Sequence, residues 1–148
     1  MAPGYPGLRL WPDAVGSLYG SPDALPWLTP TWEKRHLDLE ALGYRFHEQP
    51  VTLGAIYILR DRHPGVTTVG PAPTRAAMMS LVTHTYCNYL LDRPMRAREF
   101  DLLGRLVRSV PVRQVSPHDD PARVDDLCDR LLDDIRSLSS PGRTARAV

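Results

Sequence analysis

At 148 residues the chain is long enough for one domain that buries roughly 70% of the surface its unfolded form exposes. A composition 43% hydrophobic and 24% charged excludes wholesale disorder, and a net charge of +1 gives no general attraction to nucleic acid or to an anionic membrane. No run approaches the ~20 apolar residues of a membrane span, and Pro3, Gly4 and Pro6 stand where a secretory leader needs a continuous apolar stretch, so the expected location is cytoplasmic.

In chain order, Leu8 to Trp11 reads as a short strand. Trp11-Pro12-Asp13 then opens a helix running to about Tyr19, with Pro12 suited to a first helical position. Ser21-Pro22-Asp23 ends it, and Leu25 to Thr31, broken by Pro26 and Pro30, favours an extended connection. Arg35 to Leu39 alternates as a strand with one face partly buried. Pro50 to Leu59 is a stronger strand, apolar on both faces and therefore expected inside a sheet. Arg60 to Gly65 makes a charged turn, and Val66 to Val69 a short return strand.

The second half reads as helical. From Pro73 to about Leu91, Met78, Leu81, Val82, Tyr86, Tyr89 and Leu90 recur at helix spacing; a second run covers Ala97 to Val110. Val112 to Val115 is a strand. Asp120 then caps a last helix with Pro121 in its first turn, and Val124, Leu127, Cys128, Leu131, Leu132, Ile135 and Leu138 form its apolar stripe. Asp125, Asp126, Asp129, Asp133 and Asp134 read as its solvated face. The organisation expected is α+β: a single domain over residues 1–138, in which a small sheet from the first half is packed by three amphipathic helices from the second, followed by a flexible tail over 139–148.

All but one of the 18 basic residues are arginine, and Lys34 is the exception. Chemistry that needs a lysine amine has this one candidate, while the arginines suit salt bridges and anion contact rather than proton transfer. An arginine-biased coding sequence explains the same composition. No glycine-rich turn ending in Gly-Lys-Ser or Gly-Lys-Thr occurs, and Lys34 sits between Glu33 and Arg35, so no phosphate-gripping loop is present. Cys87 and Cys128 make no paired metal motif and read as small core residues. His84 and Cys87, three apart on a helix, lack nearby further ligands, and a hydrogen-bonded histidine is the favoured reading. No metal site is expected. Tyr5, Trp11, Tyr19, Trp27 and Trp32 cluster near the amino terminus, where they cover a sheet edge or form a partner surface.

Several segments carry a resemblance. Gly4-Tyr5-Pro6-Gly7-Leu8-Arg9-Leu10-Trp11-Pro12-Asp13, Glu33-Lys34-Arg35-His36-Leu37, Ala55-Ile56-Tyr57-Ile58-Leu59, Pro73-Thr74, His84-Thr85-Tyr86 and Leu106-Val107-Arg108-Ser109-Val110-Pro111-Val112 together resemble the carboxy-terminal half of HPr serine kinase-like proteins. That family shares a nucleotide-binding fold with phosphoenolpyruvate carboxykinase. The resemblance implies ATP-dependent phosphorylation of a serine in a protein or peptide, with ATP and magnesium held by a phosphate-loop half that this chain lacks. Its acidic magnesium-binding strand end and catalytic base find no match here either. By itself the chain is expected to hold no cofactor, and its expected partners are a kinase half or a second copy, together with the peptide or protein substrate. Arg9, Lys34 and Arg35 are the candidate anion or substrate contacts. Because neighbours in a strand point to opposite faces, only one of Lys34 and Arg35 faces any one pocket. The bland alternative is charge at a sheet edge that discourages aggregation. A non-catalytic peptide-binding or oligomerising module derived from the same fold is the alternative function.

Overall fold

The computed structural model describes residues 7–139. The architecture is α+β, as expected, with two three-stranded sheets and four α-helices among the described residues. The chain divides into two compact units, Met1–Thr52 and Leu53–Val148, each with its own sheet. The expectation of one sheet drawn from the first half is thereby corrected. Apart from Ser139, the tail expected over 139–148 lies outside the described residues, as does Tyr5.

In the first unit, β1 (Gly7–Leu10) leads into α1 (Pro12–Tyr19), followed by β2 (Trp27–Thr29) and β3 (Trp32–Asp38). β3 is central, with antiparallel β1 and β2 on either side. Pro12 opens α1, where its missing N–H costs nothing, and Gly20 closes it at φ 80°, a left-handed conformation that glycine adopts without steric penalty. α1 packs on β3, and Val15 and Leu37 are buried. Full burial of a side chain such as Val15 contributes about 1.5–3 kcal/mol.

The second unit contains β4 (Ile56–Leu59), β5 (Thr68–Pro71), α2 (Thr74–Thr83), α3 (Arg93–Ser109), β6 (Val112–Ser116) and α4 (Val124–Ser139). β6 is central, parallel to β4 and antiparallel to β5. Its alternation serves two layers: Val112 joins Ile58 and Ala77 in a buried cluster ringed by Ile56, Ala72 and Val107, while Val115, on the opposite face, is also buried. Asp92 caps α3 by accepting from the Met95 N–H at 2.8 Å, which starts that helix earlier than the Ala97 expected from periodicity. Asp120 caps a 3-10 turn, Pro121–Arg123, that leads into α4.

Two elements are shorter than their patterns suggest. The strand expected over Pro50–Leu59 is confined to Ile56–Leu59, the stretch for which β6 supplies ladder partners from Val112 to Val115. The helix expected to reach Leu91 stops at Thr83. There Thr83 Oγ1 donates to the Met79 carbonyl and Thr85 Oγ1 to the Leu81 carbonyl, and Cys87 turns left-handed at φ 54°. Tyr86, Tyr89 and Leu90 are consequently exposed instead of lining a helix stripe.

Candidate functional site

β3 divides its side chains between two faces. Lys34 and His36 lie on one and Arg35 and Leu37 on the other, while the pairing with β2 shifts register between Trp32 and Arg35. The β1 register sets Arg9 opposite His36 and Leu10 opposite Arg35. One step further, the extended backbone of Trp11 sets its indole opposite Lys34, and the Lys34 Nζ stands 4.6 Å from the ring centroid. That distance suits a cation–π contact. The first unit therefore carries Trp11, Lys34, Arg9 and His36 together on one face.

Trp11, Thr31, Trp32, Glu33 and Lys34 line an open depression of about 480 Å³ on this face. Trp11 is 56% exposed and Trp32 51%, so both indoles present much of their surface to solvent. Among the described residues, neither Lys34 nor Arg9 has a carboxylate within ion-pair distance. On the same face, the buried Nδ1 of His36 has no hydrogen-bond partner among the described residues. Such an orphan atom costs roughly 1–3 kcal/mol.

Arg35 occupies the opposite face and is 4% exposed. Its Nη2 pairs with Asp23 at 2.7 Å, its Nε donates to the Pro22 carbonyl at 3.1 Å, its Nη1 donates to the Glu33 carbonyl at 2.7 Å, and its guanidinium lies 4.0 Å from the Trp27 ring centroid. These contacts fasten the Pro22–Asp23 turn and β2 onto β3. The three candidate positions thus separate: Arg9 and Lys34 share the open face, and Arg35 is turned inward.

Lys34 is an unsuitable grip for nucleotide phosphates. It projects from a paired strand, between Glu33 and Arg35, and its ammonium is directed onto an indole. A phosphate loop instead wraps free backbone N–H groups around the phosphates. The described residues of this chain do not reproduce that arrangement at its lysine.

A second polar cluster, not foreseen from the sequence, lies in the second unit. Tyr57 on β4 and Arg113 on β6 are register partners, and both reach Asp134 of α4. The Tyr57 hydroxyl donates to Asp134 Oδ2 at 2.9 Å, Arg113 Nε donates to the same oxygen at 2.9 Å, and Arg113 Nη2 pairs with Oδ1. Burial, the hydrogen bond to Asp134 and its charge push the Tyr57 phenol up to about 12, against a smaller opposing effect of Arg113. Burial alone drives the Asp134 carboxyl upward, but the Arg113 and Tyr57 hydrogen bonds and the Arg113 charge outweigh it, leaving the carboxyl below its ordinary value. The Asp134 side chain is only 9% exposed, which corrects its assignment to a solvated helix face. The cluster clamps α4 to the sheet.

Cys128 is exposed, contrary to its reading as a core residue, while Cys87 is partly buried. His84 Nδ1 lies 2.7 Å from the Ser80 carbonyl oxygen, a local helix-end contact. No helix among the described residues is long and apolar enough to cross a membrane.

Comparisons with protein-family models, with curated proteins and with solved structures find no match to this chain.

Proposed function

We propose that this chain is a peptide- or protein-binding component of HPr kinase-like ancestry, which positions a substrate for ATP-dependent serine phosphorylation by a separately supplied phosphate-loop half. Binding is the part supported by geometry: the open face joining exposed Trp11 and Trp32 to Lys34 and Arg9 carries the reading. Exposed, rigid indoles beside a cation are the side chains that dominate recognition surfaces, because they bury large areas at little conformational cost. The phosphorylation step rests on the sequence resemblance alone.

The test combines the purified chain with an HPr kinase-like protein that contains a phosphate loop, ATP, magnesium and a serine-containing peptide. Phosphate transfer that needs both proteins, and that falls when Trp11 or Trp32 is replaced by alanine, is expected. Equal transfer with and without this chain overturns the reading.

A second reading, an oligomerising module, is favoured by α4. Val124, Cys128, Leu132 and Ile135 are exposed there and recur at helix spacing. Sedimentation across a concentration series distinguishes a self-associating chain from a monomer.

A further inference from the structure

Building on the peptide-binding reading, we infer that the open face of the first sheet takes an acidic peptide segment, with a carboxylate held between Lys34 and Arg9 and an apolar side chain resting on Trp11 and Trp32.

Register places the two cations for this task. Arg9 faces His36, and Lys34 lies two residues before His36 on the same face of β3, so Arg9 and Lys34 are diagonal neighbours. Diagonal positions on one face of an antiparallel pair stand about 7–8 Å apart at the backbone, within reach of two long side chains closing on one group. The Trp11 ring holds the Lys34 ammonium at 4.6 Å, at the edge of the depression.

Charge complementarity selects the occupant. On this sheet the inward cation, Arg35, has Asp23 as its counterion, whereas the outward cations, Arg9 and Lys34, have no carboxylate within ion-pair distance among the described residues, and Glu33, which also lines the depression, pairs with neither. A ligand carboxylate supplies the missing partner through charge-assisted hydrogen bonds. The flanking indoles accept a flat or apolar group beside it.

The single lysine makes the site directly readable. Amine-directed acetylation of the full chain, followed by mass spectrometry of the Lys34 peptide, is performed with three probes: a short Glu- and Tyr-containing peptide, its Lys-for-Glu counterpart, and inorganic phosphate. Affinity for the acidic peptide is followed in parallel by tryptophan fluorescence. The proposal expects saturable protection of Lys34 by the acidic peptide alone. It also expects about a tenfold or greater loss of affinity in both Lys34→Met and Arg9→Met, the loss of one charge-assisted hydrogen bond, and weakening in high salt.

Protection by the basic peptide as well overturns the acidic ligand class while leaving the peptide-binding reading standing. Protection by phosphate overturns it in favour of a simple oxyanion site. Protection that rises with protein concentration without any probe overturns it in favour of a second copy. Failure of every peptide to protect Lys34 or perturb fluorescence overturns both the inference and the reading beneath it.

Discussion

The Lys34 ammonium stands 4.6 Å from the centroid of the Trp11 indole, across the seam between β3 and the end of β1. This contact orients the only lysine of the chain toward a depression flanked by exposed aromatic surface. Reductive methylation with carbon-13 places a label on the Lys34 side chain. Its methyl resonance is expected upfield of an exposed lysine through the indole ring current, and Trp11→Leu is expected to return it to the exposed value. A resonance unaffected by Trp11→Leu contradicts the contact.

Lys34 and Arg35 adjoin in sequence but have opposite stability consequences. Arg35→Met leaves the Pro22 and Glu33 carbonyls without their donor and removes the Trp27 contact, so it is expected to cost about 2–3 kcal/mol. Lys34→Met, on the open face, is expected to change stability by about 0.5 kcal/mol or less. All three tryptophans, Trp11, Trp27 and Trp32, belong to the first unit. Urea unfolding followed by tryptophan fluorescence therefore reports that unit separately; equal effects of the two substitutions refute this division of roles.

His36 supplies a stability test of another kind. Because its buried Nδ1 has no partner among the described residues, His36→Phe removes an unpaired polar atom while retaining a planar ring. The substitution is expected to leave the fluorescence-detected unfolding midpoint unchanged or to raise it. A loss of about 1 kcal/mol or more shows that the imidazole is stabilising.

In the second unit, Tyr57 and Asp134 impose opposite pH limits. The Tyr57 phenol is raised from 10.0 to about 12, so the stability it contributes is complete below pH 10 and is lost as pH rises through about 12. Ultraviolet titration should show one tyrosine ionising later than the others, and Asp134→Asn should bring it earlier. Asp134 itself lies below its ordinary value, so its contribution is present above pH ~4 and lost as pH falls through the lower folded value. Asp134→Asn also strands the Arg113 charge, at a cost of about 3 kcal/mol measured by the unfolding of helical circular dichroism. Coincident ionisation of all tyrosines in the unsubstituted protein contradicts the Tyr57 environment.

The outward side of α4 provides a further prediction. Leu132→Glu alters an exposed position between Cys128 and Ile135, and is expected to retain the helical circular dichroism spectrum while reducing self-association in sedimentation. Loss of helix on this substitution contradicts its placement on the outer side.

Local signals in the sequence account for much of the fold. Pro12 and Gly20 bracket α1, and Asp120 with Pro121 opens the turn into α4, because caps and fixed backbone angles act within a few residues. The length of β4 was less legible: its apolar alternation continues back to Val51, but pairing depends on how far the distant β6 extends. The premature end of α2 is a local competition, in which Thr83 and Thr85 bond backward into the helix, that hydrophobic spacing does not register.

At the candidate site, the opposite directions of Lys34 and Arg35 followed from strand alternation, but not which of them faced outward. That depended on Val15 and Leu37 making the Arg35 side the packed one. Asp134 illustrates a different difficulty. Leu127, Leu131, Asp134 and Leu138 share a helix stripe and are all turned at least partly inward, yet a broader apolar set on α4 obscured the carboxylate among them. Its partners Tyr57 and Arg113 are brought together only by the parallel register.

The most direct test of the account is thermal melting of the chain, followed by tryptophan fluorescence, with a serine-containing acidic peptide and separately with ATP and magnesium. Saturable stabilisation by the peptide, abolished in Lys34→Met and accompanied by no shift with ATP and magnesium, is the predicted result. A saturable shift with ATP and magnesium, or none with the peptide, would contradict a substrate-binding component that depends on another protein for its nucleotide.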